Sequence, residues 1–92
     1  MTDILRIRWQ ISPSAVSNAV ADETVVLHLG SNGYFSLDAI GARVWGAIAA
    51  GLPPIAVFDG LMTEFGVERA TLEADLCELV ADLLKKDLIA PT

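Results

Sequence analysis

The chain has 92 residues, of which 53% are hydrophobic and 20% charged, and its formal net charge is −6. This composition excludes a disordered chain, and the length predicts a single domain spanning residues 1–92. No apolar run reaches the roughly 20 residues needed to cross a bilayer, and no long apolar segment follows a basic N-terminal flank. The sequence therefore predicts a folded, soluble protein of the cytoplasm.

Charge and residue inventory exclude further classes of function. The six Lys and Arg residues are scattered among twelve Asp and Glu, which argues against an electrostatic grip on nucleic acid. Cys77 is the only cysteine and His28 the only histidine. An intramolecular disulfide is therefore impossible and a Cys/His zinc site is unavailable. We predict neither a metal nor a cofactor.

The first predicted elements are two strands near the N-terminus. Apolar and polar residues alternate over residues 5–12, which is the pattern of a half-buried strand. Pro13 has no N–H to donate and interrupts the pairing. Residues 15–20 then predict a short second strand before a turn at Asp22-Glu23.

A hairpin that runs directly into a helix is predicted over residues 24–48. Residues 25–29 alternate with the two-residue period of a strand, Ser31-Asn32-Gly33 tolerates positive φ, and residues 34–37 form the returning arm. The carboxylate of Asp38 can accept backbone N–H groups at a helix start. Apolar residues then follow at helical spacing, namely Ile40, Val44, Trp45 and Ile48.

Two more helices complete the chain. Gly51 ends the first helix, Pro53-Pro54 begins the second, and Gly66 closes the second as a left-handed cap. The third helix begins between Glu68 and Ala70 and runs to about Lys86. The second helix has a predicted buried stripe of Val57, Phe58, Leu61, Met62 and Phe65, the third has an apolar stripe of Leu72, Leu76, Leu79, Val80, Leu83 and Leu84, and Leu88 and Ile89 form an apolar tail.

This order predicts an α+β fold resembling a winged helix-turn-helix, with a small antiparallel sheet of three or four strands followed by three helices. A winged helix suggests a DNA-binding regulator, whose third helix must present cations or amides to the major groove. Here the middle of that helix is acidic, with Glu73, Asp75, Glu78 and Asp82. DNA binding is therefore the weaker alternative.

The central stretch resembles the PqqD-like family, the RiPP recognition elements of ribosomal peptide maturation. The resemblance rests on Val25-Val26-Leu27, on GYFSLD from Gly33 to Asp38, and on Gly41-Ala42-Arg43-Val44-Trp45, and it extends loosely from Pro13 to Ile89. Many members carry Asn at the place of Asp38, and both residue types cap helices. The resemblance implies that the leader segment of a precursor peptide binds as an added strand between the third strand and the third helix.

An unpaired sheet edge also favours such binding, because its free N–H and C=O groups can pair with an extended peptide. Two of the strand side chains should point into the core, in a register that the sequence leaves open. Core packing is an equal alternative for each helix leucine. Carried over residue by residue, the predicted peptide-binding residues are Tyr34, Phe35, Ser36 and Leu37 on the strand and Leu72, Asp75, Leu76, Leu79, Asp82 and Leu83 on the helix.

We therefore predict a non-catalytic recognition protein that presents a leader peptide to modifying enzymes. An enzyme is disfavoured because the lone His28 and Cys77 lack a third group to orient them. The pattern L-D-x-x-G-x-x-V-W from Leu37 to Trp45 resembles that of the free-standing family members of lasso peptide biosynthesis. The resemblance implies a leader peptidase as the partner. A PqqD-type chaperone for a radical-enzyme pathway is the alternative, and the open edge also permits a homodimer.

Overall fold

Two antiparallel sheets and three helices make up the part of the chain that the computed structural model describes, residues 3–31 and 33–92. A 3-10 helical turn at Pro54–Val57, which the sequence did not indicate, precedes the second helix. The architecture confirms the predicted winged-helix-like α+β class. In chain order the elements are β1 (Trp9–Ile11), β2 (Ala15–Val20), β3 (Glu23–His28), β4 (Gly33–Leu37), α1 (Ala39–Ala49), α2 (Phe58–Phe65), α3 (Arg69–Lys85) and β5 (Ile89–Pro91).

The larger sheet has the strand order β2-β3-β4. A two-residue loop, Ala21-Asp22, joins β2 to β3, so that Val20 pairs with Glu23. Strand β4 returns along β3 with Val26 opposite Phe35, as the predicted hairpin requires. Asn32, which the sequence places in the loop of this hairpin, lies outside the described residues.

The predicted strand over residues 5–12 is wrong in extent and in partner. Strand covers only Trp9–Ile11, and it pairs with β5 rather than with the larger sheet. A turn occupies the preceding residues. The side chain of Asp3 accepts the Leu5 N–H at 3.0 Å, and the backbone carbonyl of Asp3 accepts the Arg6 N–H at 3.0 Å. The Trp9 indole then donates to the Ile4 carbonyl at 2.8 Å and holds the segment folded back.

The helix boundaries follow the predicted caps. The Asp38 carboxylate accepts the Gly41 N–H at 2.8 Å and begins α1. Gly51 has φ +81°, just beyond the end of α1. Gly66 ends α2 with φ +64°, a left-handed conformation that glycine adopts without steric cost. These caps determine where α1 begins and where α1 and α2 end.

The core lies where the helices meet the inner face of the larger sheet and the β1-β5 pair. On β3 the buried set contains Val26, whereas Leu27 is exposed. Phe65, predicted for the buried stripe of α2, is exposed instead because it occupies the last turn beside Gly66. The largest fully buried side chains include Leu5, Ile48, Phe58, Leu61, Leu72, Leu76, Leu83 and Ile89.

Among the described residues, no helix has the length and apolar character required to span a membrane.

Candidate functional site

One edge of the larger sheet, along β4, has no strand partner among the described residues. The register shows which backbone groups of β4 face outward. The tight β2-β3 turn makes Val20 and Glu23 a hydrogen-bonded pair, and such pairs alternate along an antiparallel ladder. The Leu29 N–H donates to the Ser14 carbonyl at 2.9 Å and continues the same series.

By this alternation, the backbone groups of Thr24, Val26 and His28 of β3 bond to β4. The backbone groups of their partners Leu37, Phe35 and Gly33 therefore face β3. The backbone N–H and C=O groups of Tyr34 and Ser36 therefore point away from the sheet. Sequence reasoning could not settle this side of the strand, because the register was unknown.

A groove of about 320 Å³ lies between this open edge and helix α3. Phe35 and Leu37 contribute from the strand, and Leu72, Leu76 and Leu79 contribute from the helix. Leu72 and Leu76 are almost entirely buried, whereas Leu79 is half-buried. The groove is thus mainly apolar, with Asp38 and Asp75 also lining it.

The local sequence brings helix α1 directly against the end of β4. Asp38 both ends the strand and caps the helix, so no loop separates them. At Gly41 a Cβ atom would lie 3.2 Å from Leu37 Cδ2 and 3.4 Å from Asp38 Oδ1. Glycine thereby permits the close approach that closes this end of the groove.

The structure brings seven of the ten predicted site residues to the groove. Tyr34 instead lies on the outer face of the sheet and is 71% exposed, Leu83 is fully buried in the core, and Asp82 is half-buried without lining the groove. Their contact with a peptide stays a prediction. Sequence reasoning missed four further lining residues, Asp38, Ile40, Gly41 and Val67. The first three follow β4 and Val67 precedes α3, the two elements to which the predicted site residues belong.

The only cysteine, Cys77, lies on α3 and the only histidine, His28, on β3. His28 Nε2 is 3.5 Å from Asp87, ten positions beyond Cys77, and a rise of about 1.5 Å per helical residue puts the thiol roughly 15 Å from that point. Burial raises the pKa of the Cys77 thiol, and the charges of Asp3 and Glu73 raise it further. The reactive thiolate is therefore scarce at neutral pH. Within residues 3–31 and 33–92, no group of three or more His, Cys, Asp or Glu could hold a metal ion.

Fold and groove together define a small winged-helix-like protein with an open strand edge beside an apolar cleft. The chain belongs to the PqqD family, because the model of the family described as coenzyme PQQ synthesis protein D matches residues 23–89. No curated protein gives a significant match.

Two solved structures are similar to the chain. TbiB1 in complex with the TbiA(beta) leader peptide is 39% identical, with a TM-score of 0.77, over 87% of this chain and 93% of that chain. A lasso peptide synthetase B1 complexed with the leader peptide is 25% identical, with a TM-score of 0.80, over 91% of this chain and 99% of that chain.

Proposed function

We propose that the protein binds the leader segment of a ribosomally made precursor peptide by strand addition to β4. The observation that carries this proposal is the outward-facing backbone of Tyr34 and Ser36 beside the apolar groove. Backbone groups give affinity and the groove gives side-chain specificity in this mode of binding. Both similar solved structures are complexes with leader peptides, which supports the same ligand class here.

The protein itself is non-catalytic and presents the bound leader to modifying enzymes in the cytoplasm. The separation of His28 from Cys77 and the raised pKa of the thiol support the lack of a nucleophile. The similarity to a lasso peptide synthetase B1 complexed with a leader peptide supports a role in lasso peptide biosynthesis, and we infer a leader peptidase as the partner enzyme. A role in a radical-enzyme pathway is the second candidate, since the matching family is described by coenzyme PQQ synthesis.

Strand addition is tested by a proline at Ser36, with the fluorescently labelled TbiA(beta) leader as the first probe. Proline removes the outward N–H without removing a bond to β3. Losing one or two hydrogen bonds of about 1 kcal/mol each should weaken binding roughly five- to thirty-fold. Ser36→Ala is the matched control, because it keeps the N–H and should bind like the parent.

The groove is tested separately by Leu79→Asp, which places a charge among leucines and should abolish binding of an apolar leader side chain. Leu84→Asp is the control on the same helix, since Leu84 is exposed outside the groove. Circular dichroism must first show that each variant is folded. Parent-like affinity of folded Ser36→Pro and folded Leu79→Asp would contradict a peptide site between β4 and α3.

A further inference from the structure

Opposite charges lie at the two ends of the β4 edge. Asp38 and Asp75 line the groove at the Leu37 end of the strand. At the other end, a second pocket of about 170 Å³ adjoins Gly33 and Tyr34, and Lys86 lines it. The Lys86 ammonium lies 5.7 Å from the centre of the Phe35 ring, so α3 brings this cation over the strand.

The pocket at Lys86, which we call the basic-end pocket, also holds an unpartnered hydrogen-bond donor. His28 Nδ1 accepts the backbone N–H groups of Gly30 at 3.1 Å and Ser31 at 3.2 Å. These two bonds assign the proton of the neutral ring to Nε2. The buried Nε2 has no hydrogen-bond partner among the described residues, although the Asp87 carboxylate lies 3.5 Å away.

Two carboxylates stand near Lys86 without lining this pocket. Asp82 is one helical turn before Lys86, and the side chain of Asp87 is 84% exposed to solvent. Neither forms an ion pair with Lys86 within the described part of the chain. Among the residues that line the pocket, Lys86 therefore supplies a cation without an ion-pair partner, and His28 Nε2 lies beside it as a buried donor whose hydrogen bond is costly to leave unmade.

We propose, on the basis of the peptide site inferred above, that the bound peptide carries a cation opposite Asp38 and Asp75 and a carboxylate in the basic-end pocket. The order of the two charges then fixes the direction in which the peptide lies along β4. A peptide of the opposite polarity would place like charges together at both ends.

The spacing of the two charges follows from the geometry of α3. Asp75 and Lys86 are eleven positions apart, and a rise of about 1.5 Å per residue separates them by roughly 16 Å. An extended strand covers this distance in about five residues at roughly 3.3 Å each. Eleven positions also bring Asp75 and Lys86 to nearly the same face of α3. Both charged side chains of the peptide must therefore face α3, and because faces of a strand alternate with a period of two, the spacing is four or six residues.

The direction follows from the sheet, in which the two described pairings are both antiparallel. A peptide added in the same sense runs opposite to β4. Its N-terminal part then lies at Leu37 and its C-terminal part at Tyr34. The expected leader therefore has a lysine or arginine four or six residues before a glutamate or aspartate, with apolar side chains alternating between them.

The test compares two synthetic fluorescent peptides of identical composition. One has lysine four residues before glutamate within a Thr/Val/Leu host, and the other has the two residues exchanged. Anisotropy titration of the parent protein should give roughly two- to thirty-fold tighter binding of the first peptide, the effect expected of two partly exposed ion pairs. The double variant Asp75→Lys with Lys86→Glu should reverse this preference.

A matched control is the double variant Asp75→Lys with Lys85→Glu. Lys85 does not line the basic-end pocket, so reversing its charge should have no effect. The peptide preference of this control should change only by the contribution of position 75. Equal binding of both peptides by the parent, or a preference for the exchanged peptide, would overturn the charge polarity and leave strand addition standing. Failure of both peptides to bind at millimolar concentration, under conditions in which the labelled TbiA(beta) leader binds, would overturn the polarity alone, whereas failure of all three would overturn strand addition as well.

Discussion

Among residues 3–31 and 33–92, two non-glycine residues have left-handed backbone conformations, and their side chains suit these positions unequally. Asp87, with φ +59°, follows α3 and belongs to a residue type that tolerates this region. Ala21, with φ +57°, is the first residue of the two-residue β2-β3 loop. Its Cβ atom is close to the carbonyl oxygen in this conformation. Backbone strain is therefore concentrated at Ala21.

Replacing this alanine by glycine should stabilise the protein. Ala21→Gly removes a steric cost of about 1–2 kcal/mol and adds roughly 0.5–1 kcal/mol of unfolded-state entropy, so the net gain is about 0.5–1 kcal/mol. Urea unfolding measures the change. Ala19→Gly, in a strand position without positive φ, should instead destabilise by about 0.5–1 kcal/mol. Similar losses in both variants would refute strain at Ala21.

At the scale of elements, helix α1 is the support of the groove. Its buried residues include Val44, Trp45 and Ile48, and its first turn lies against the end of β4. Trp45 is 5% exposed and is the largest side chain on this buried face. The position of the groove wall therefore depends on how well α1 is packed.

Truncating this side chain should cost a large part of the stability of the fold. Trp45→Ala leaves a cavity and should lower the free energy of unfolding by roughly 3–5 kcal/mol. Thermal melting followed by circular dichroism measures the loss. Arg43→Ala is the control on the same helix, because its ion pair with Glu64 is half-exposed and is worth at most about 1 kcal/mol. A melting curve unchanged by Trp45→Ala would disprove its place in the core.

The elements that could be predicted from the sequence are those determined by near neighbours. The β3-β4 hairpin, the Asp38 cap and the Gly66 turn each depend on a few consecutive residues. The pairing of β1 with β5 joins residues from opposite ends of the sequence, and alternation alone cannot name a partner strand. Tyr34 and Leu83 could not be placed relative to the groove for the same reason, since burial depends on register and on helix rotation.

At the scale of the whole molecule, charge is distributed so that carboxylates dominate the exposed face of α3. Glu73, Asp75 and Glu78 are exposed along the middle of the helix. The cations at its two ends lie against aromatic rings, Arg69 at 5.5 Å from the centre of Phe58 and Lys86 against Phe35. A helix with this surface repels the phosphates of nucleic acid.

Salt dependence distinguishes a peptide-binding from a DNA-binding winged helix. Duplex DNA should not bind at physiological ionic strength, because phosphate contacts require clustered cations. A labelled leader should bind with an affinity that changes only modestly between about 50 and 200 mM salt, since an apolar groove and backbone pairing provide most of the contact. Tight DNA binding that falls steeply with salt, measured by anisotropy, would overturn the proposed function.

The pairing of β1 with β5 bears on the order in which the molecule assembles. Trp9 lies opposite Pro91, so this small sheet closes a loop that contains all the other helices and strands described. Closure entropy grows with loop length, and distant contacts form after local ones. We expect the hairpins and helices to come together first and β1 to dock last. The reverse process, local opening of the β1-β5 pair, would then bring Trp9 and Ile89 into water while the β4 edge remains intact.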